Sequence, residues 1–497
     1  MKQKFLYLLI IIGICFRLAL FGRIPVSLNR DEAALGYNAF AIATAGIDEW
    51  GVSYPLLFKS FGDFKLPGYI YSLVPLVKIF DPSEWVVRLP SLLAGIGLIY
   101  LTYLVVVKIG STREIALFSA AIVAVSPWTI FYSRVAFEAN LALTFFIAAG
   151  YLLSSAKSKH VWWGIGFYIL AIATYNTPLL LTPIIWLIIA VKATPLKSKV
   201  WEAGFIALIA LSWFGLTAGL TAQKGQITIF ANPHIAFLQQ STYVSANSWS
   251  QKILAGRYVF YPVLVGKNTL HWFSPDFLVK SGGQNPWHSL PGKGHLYYVV
   301  YVLCIFQIIS LLRQRKFKVL ALTFALLVIS ILPSIITVDS PHATRSLLGL
   351  WLLLLIAGQT WQVKTARLFI GTALIAEIGI FGFNYFGYFP TAHAPEWRVG
   401  LREEIVKANV SYPTGTIAII NPYDQPYIYT LLYTRCSPRL YSDTVERYGQ
   451  DAAGLEKVKS YGRWLFIGDP KDVPSGIPII YPDTNHSYKI IDINSKL

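Results

Sequence analysis

Acidic residues and cysteines are what this sequence has least of. Across 497 residues there are 25 Asp and Glu against 42 Lys and Arg, and charged residues of both signs make up only 13% of the chain. So low a charged share, beside 55% hydrophobic residues and a mean hydropathy of +0.52, excludes an ordinary soluble domain, in which about a quarter of residues are charged. Cys15 and Cys304 lie within apolar runs and Cys436 stands alone in the C-terminal region, so no disulfide framework is available to an outside domain. Internal repeats and low-complexity tracts are not evident, which counts against transporters built from inverted repeats.

What the chain has in abundance is apolar runs near the length of roughly 20 residues that a bilayer span requires. They fall at residues 5–21, 90–107, 115–131, 139–153, 161–173, 178–191, 203–221, 296–312, 319–336, 346–357 and 368–388, about eleven in all by a sliding apolar window. Lys108 and Arg113, Lys157 and Lys159, Lys192, Lys197 and Lys199, then Arg313, Arg315, Lys316 and Lys318, and finally Lys364 and Arg367 occupy alternate short connections. That is the positive-inside pattern, and it predicts a cytoplasmic N-terminus and an outside C-terminus in the plasma membrane. The net charge of +17 is thereby accounted for by topology, and nucleic acid is not the expected partner. The first run lacks a small-residue cleavage site and is followed by further spans, so it reads as an uncleaved helix rather than a signal peptide.

Three stretches then fall outside: residues 22–89, 222–295 and everything from 390 to 497. Segments 33–45 and 68–80 carry apolar residues at helical spacing, which suits helices lying along the membrane surface as a roof. Beyond 389 the composition changes, with β-type runs at 416–420, 464–467 and 477–481 and a helical run at 425–433. The expected fold class is a polytopic α-helical membrane protein: a transmembrane domain over 1–389 with two outside loops, and a small outside α/β domain over 390–497.

Loops on a rigid scaffold are where function concentrates, and the richest is the first. It contains Asn29-Arg30-Asp31-Glu32-Ala33, Asp48-Glu49-Trp50-Gly51 and Phe61-Gly62-Asp63-Phe64-Lys65-Leu66-Pro67-Gly68-Tyr69. Carboxylates and bases between a span and a surface helix sit where low dielectric perturbs ionisation. A catalytic and phosphate-binding site is one reading; a solvated, charge-rich loop is the other.

The Asp-Glu pair after the first span, the later Asp-x-Lys-x-Pro-x-Tyr and Arg88-Leu89-Pro90 at the start of the second span resemble the GT-C glycosyltransferase superfamily. More narrowly, they resemble bacterial relatives of the protein O-mannosyltransferases and aminoarabinose transferases. Ser126-Pro127-Trp128, Ser133-Arg134-Val135-Ala136-Phe137-Glu138, Tyr175-Asn176-Thr177-Pro178 and Pro341-His342-Ala343-Thr344-Arg345-Ser346 fit the same pattern. The resemblance runs over roughly residues 1–390. It implies a GT-C type fold and an inverting transfer of a sugar from a polyprenyl-phosphate donor to a glycan, lipid or protein acceptor.

On that resemblance Asp31 matches the base that takes the acceptor's proton; Glu32 tunes or positions it or is simply solvated at the interface, or Arg30 instead holds Asp31 in its charged form. Lys65 matches the lysine that contacts the donor phosphate. Arg134, Arg345 and Arg88 are the further cations for the developing phosphate charge, although an arginine at a span end also serves simply by snorkelling to headgroups. Arg17, within the outer third of the first span, is marked as functional because an intramembrane charge is expensive; its partner is not legible. Glu138 lies one helical turn after Arg134, a spacing that allows an ion pair or a sugar contact. Tyr175 is a sugar contact or an aromatic belt anchor. Asp63, His288 and His342 are weak candidates for a divalent cation, weakened further because Ser281-Gly282-Gly283-Gln284 offers no acid before His288. A transporter or flippase of lipid-linked sugars would also show many spans, but it should carry ionisable residues at mid-membrane. Another lipid-carrier-dependent envelope transferase would share the chemistry but not the early acidic pair.

Overall fold

A computed structural model describes residues 2–61, 63–218, 225–283, 285–290, 292–420, 425–450, 456–482 and 488–491. Gln284 lies outside the described residues. The chain divides into two units, the first comprising Met1–Phe16, Ala94–Tyr132 and Ala139–Phe381, the second Arg17–Leu93, Ser133–Glu138 and Gly382–Leu497.

The described residues are mostly helical, and each apolar run expected from the sequence overlaps a helix. The early helices are α1 (Lys2–Leu18), α2 (Arg30–Ala45), α3 (Pro67–Ile79), α4 (Glu84–Lys108), α5 (Arg113–Val125), α6 (Pro127–Ser133) and α7 (Glu138–Leu153). Among the described residues, four helices are long and apolar enough to cross a membrane: Glu84–Lys108, Leu196–Leu216, Phe317–Ile335 and Lys364–Ala392. The pair α5 and α6 makes a fifth if read as one broken span, bent by 57°. The break falls at Ser126-Pro127, where the proline ring removes a backbone donor and crowds the preceding turn. The other apolar helices are shorter. These helices make the chain a multi-pass membrane protein.

The described residues between 225 and 295 form more than a loop, with helices at Pro233–Val244, Trp249–Ala255 and Arg257–Trp272. The first has no buried residue, so burial does not organise it. Its start is set by Asn232, whose side chain accepts from the His234 and Ile235 amides, with proline next in line. The second begins in a capping box between Ser248 and Gln251.

In the second unit, β1 (Phe58–Ser60) and β2 (Asp63–Lys65) form an antiparallel hairpin. A six-stranded sheet is built from β3 (Ile417–Ile420), β4 (Glu446–Gln450), β5 (Glu456–Tyr461), β6 (Trp464–Ile467), β7 (Ile479–Pro482) and β8 (Tyr488–Ile491), in the order β4-β5-β6-β3-β7-β8. The central strand β3 pairs in parallel with β6 and β7, and the outer pairs are antiparallel. Its four residues, Ile-Ala-Ile-Ile, are all buried, as a parallel strand covered on both faces requires.

Helix α2 is more deeply covered by protein than its sequence alone indicates. Glu32 to Ala39, Ala41 and Ile42 are all buried, so neighbours cover the helix on nearly every side. Small residues make that approach feasible. At Gly36 an added Cβ would lie 2.8 Å from Val87 Cγ2 and 3.3 Å from Leu432 Cδ1, so α2 seats against both only because position 36 has no side chain.

Candidate active site

The site begins with the way α2 starts. Asn29 is extended, and its Oδ1 accepts from the Glu32 amide at 3.0 Å while Glu32 Oε2 accepts from the Asn29 amide at 3.0 Å. This reciprocal capping box fixes the helix N-terminus and places Asp31 and Glu32 in its first turn, where the helix dipole favours negative charge.

The two adjacent carboxylates have different surroundings. Glu32 is fully buried. Its Oε1 accepts from Arg88 Nε at 2.8 Å and from the Ala136 amide at 2.8 Å, and its Oε2 accepts from Arg88 Nη2 at 3.0 Å. The Arg88 guanidinium, also fully buried, donates in addition to the carbonyls of Pro25 at 2.9 Å and Ser27 at 2.6 Å. A two-pronged, charge-assisted pair of this kind is among the stronger polar contacts a protein makes. It ties four segments together: 25–29, the start of α2, α4 and the 136 amide. Asp31 faces outward instead. Its side chain is 40% exposed, and Lys65 Nζ lies 2.7 Å from its Oδ1. Lys65 is held at the end of β2 by its register opposite Phe58.

Arg30 stands with its guanidinium carbon 5.8 Å from the Phe61 ring centre. Asp63 pairs with Ser60 in the hairpin, and its side chain lies outside the described residues. Arg17, Arg134 and Tyr385 form a second buried polar group. Arg134 donates to the carbonyls of Arg17 at 2.7 Å, Leu20 at 3.2 Å and Ile24 at 3.0 Å, and its Nε to the Tyr385 hydroxyl at 3.2 Å. Arg17 Nε donates to Ser133 Oγ at 3.0 Å, a partner its sequence context did not reveal. These contacts clasp the turn between α1 and α2. Glu138 opens α7 and is half-buried.

Tyr175, His288, His342 and Arg345 belong to the first unit. The Tyr175 hydroxyl donates to Thr344 Oγ1 at 3.4 Å, and Thr344 Oγ1 lies 2.8 Å from His342 Nδ1. Arg345 is ion-paired to Asp339, whose other oxygen is 3.5 Å from His342 Nε2. The His342 and His288 rings are 4.8 Å apart. Burial, then the nearby Arg345 charge, holds His342 well below the usual imidazole range, so it is neutral at pH 7. Asp339 was not singled out from sequence, because nothing in its own neighbourhood marks it before the turn brings Arg345 and His342 to it. Among the described residues no group of three His, Cys, Asp or Glu side chains is arranged to hold a metal ion.

Glu49, within one of the acidic motifs, has surroundings unlike those of a loop acid. It is buried, and its Oε1 accepts from Ser60 Oγ at 3.2 Å and Trp50 Nε1 at 3.3 Å. Burial, then the charge of Asp48, pushes its carboxyl up to about 7.

The sequence profile of the dolichyl-phosphate-mannose-protein mannosyltransferases matches residues 66–214, and the resemblance to GT-C glycosyltransferases holds over that segment. The segment opens one residue after Lys65 and contains Arg88, Arg134, Glu138 and Tyr175; Asp31 and Glu32 precede it. No curated protein matches the chain. Among solved structures, the chain is similar to the Archaeoglobus fulgidus oligosaccharyltransferase AglB in complex with an inhibitory peptide and a dolichol-phosphate, at 11% identity and a TM-score of 0.46, covering 87% of this chain and 63% of that one. The apo form of the Archaeoglobus fulgidus oligosaccharyltransferase aligns at 12% identity and a TM-score of 0.47 over 96% of this chain and 65% of that one. ArnT from Cupriavidus metallidurans bound to undecaprenyl phosphate aligns at 12% identity and a TM-score of 0.38, over 87% of this chain and 84% of that one. The chain thus spans less than two thirds of the length of the oligosaccharyltransferases it resembles.

Proposed function

We propose that this chain is an inverting glycosyltransferase that moves a sugar from a polyprenyl-phosphate donor to an acceptor hydroxyl at the outer face of the plasma membrane, with its N-terminus cytoplasmic and its C-terminus outside. The observation that carries the reading is the Asp31–Lys65 pair: a partly exposed carboxylate and an ammonium 2.7 Å apart, beside a neighbouring acid that is buried and fully engaged.

In the reaction the acceptor oxygen attacks the anomeric carbon as the bond from that carbon to the phosphate oxygen breaks, and the electron pair leaves with the polyprenyl phosphate. The acceptor's proton passes to Asp31. An incoming phosphate competes with Asp31 for Lys65; as it takes the ammonium, it releases the carboxylate to act as a base and keeps the cation where leaving-group charge develops. Arg345, in the first unit, is offered as a phosphate contact by the sequence resemblance alone. Glu32, Arg88 and Arg134 act through position: Glu32 and Arg88 fix the start of α2, on which Asp31 rides, and Arg134 clasps the turn before it. His342 and Tyr175 support the sugar or acceptor.

The test is incubation of the purified protein with a labelled polyprenyl-phosphate sugar. Release of sugar-free carrier phosphate is expected; movement of intact donor across a vesicle membrane without its cleavage would contradict the reading and make the chain a transporter of lipid-linked sugars.

A further inference from the structure

In the first unit, Gly283, residues 285–288, Asp339 and residues 341–343 line a cavity of about 450 Å³, a volume within the ~300–1,000 Å³ of small-molecule sites. Its walls carry one large aromatic, Trp287, and four planar polar side chains, Asn285, His288, Asp339 and His342. The chemistry of that set narrows what fits. The described lining holds no lysine or arginine to draw a phosphate, and its one acid is Asp339. Arg345 offsets that carboxylate, so the site does not gather cations either, and no metal-holding group of three acids, imidazoles or thiols occurs among the described residues. Neutral imidazole at His342 both donates and accepts.

We propose that this cavity is a subsite for a neutral sugar ring. A pyranose has an apolar face of C–H groups that lies on an aromatic plane such as Trp287, and an edge of neighbouring hydroxyls that pair with planar amide, carboxylate and imidazole groups. The proposal deepens the glycosyltransferase reading by giving one of its sugars a place, and it concerns binding alone. The ring belongs to the donor or to the acceptor; the chemistry of recognition is the same.

The test uses the full chain in lipid nanodiscs, with no turnover required. Binding of free mannose, glucose and N-acetylglucosamine is followed by saturation-transfer NMR, beside inorganic phosphate and Zn²⁺. Binding of at least one neutral sugar is expected, weakened about tenfold or more by Trp287→Ala and retained by Trp287→Phe, which keeps an aromatic plane. A second arm compares polyprenyl-phosphate sugar with sugar-free polyprenyl phosphate. If Trp287→Ala abolishes the preference for the sugar-bearing lipid, the ring is the donor's; if the preference survives while free-sugar binding falls, it is the acceptor's. Neutral sugars that do not bind, or that bind equally to both variants, would overturn the proposal, as would phosphate or Zn²⁺ binding that Trp287→Ala abolishes in their place. Because no step of transfer is measured, loss of this proposal leaves the Asp31 chemistry standing, and an inactive Asp31 variant leaves this one standing.

Discussion

Asp31 and Glu32 are neighbours in sequence with the same functional group, and burial separates their roles. The sequence marked the pair, but it held no sign of which acid would turn inward. The residue that decides, Arg88, lies 56 positions away, and its pairing with Glu32 exists only once α2 and α4 have packed. Glu32→Gln removes the charge from a buried ion pair and leaves Arg88 uncompensated, which is expected to destabilise the protein by about 3–5 kcal/mol. Thermal unfolding in detergent checks this: a clear drop in melting temperature is expected, whereas an unchanged melting temperature with lost turnover would move Glu32 into the reacting group. Glu49 shows the same blindness of sequence to burial. Its folded carboxyl titrates near 7, against an ordinary 4.5, so the folded chain holds its proton more tightly than the unfolded one. That contribution is complete below about pH 4.5 and is lost as pH rises through about 7. Wild type should therefore lose stability from pH 5 to pH 8 relative to Glu49→Gln, measured as the difference between their melting temperatures; a gap that is constant with pH would contradict the assignment.

Elements were legible where a local pattern sufficed. The central strands β3, β6 and β7 announced themselves as short apolar runs; β3 is buried throughout, and a strand covered on both faces must be apolar. The outer strands β4, β5 and β8 did not. Their residues, such as Glu446-Arg447-Tyr448-Gly449-Gln450, mix charge and polarity, and pairing with a neighbour rather than composition makes them strands. The helices between 233 and 272 were equally hidden: side-chain caps at Asn232 and Ser248 set the first two starts, and none of the three buries an apolar stripe. At α2 the helix was legible and its burial was not. Gly36→Val tests that burial: a branched side chain must displace Val87 and Leu432, and overpacking of this kind costs roughly 1–3 kcal/mol. A lower melting temperature is expected, with turnover falling as α2 shifts. A variant as stable and active as wild type would mean that α2 is not seated as described.

For the whole molecule, membrane class followed from composition, because a bilayer demands long apolar helices and few charges. The count of spans did not follow in the same way. Apolar runs near 20 residues include helices broken by proline, as at Ser126-Pro127, and helices too short to cross unaided. The site shows the same division. Asp31 and Lys65 were both marked from sequence as separate parts, a base and a phosphate contact, and the hairpin's register makes them one ion pair. That pairing is the centre of the proposed account, in which the donor phosphate draws Lys65 from Asp31 and Asp31 accepts the acceptor's proton. The most direct test is turnover of a labelled polyprenyl-phosphate sugar by Asp31→Asn beside wild type, with donor binding measured on the same preparations. The account predicts that turnover falls by about 10²–10⁴ while donor binding is retained or strengthened, since the Asp31 carboxylate no longer competes with the phosphate for Lys65. Wild-type turnover in Asp31→Asn would contradict it.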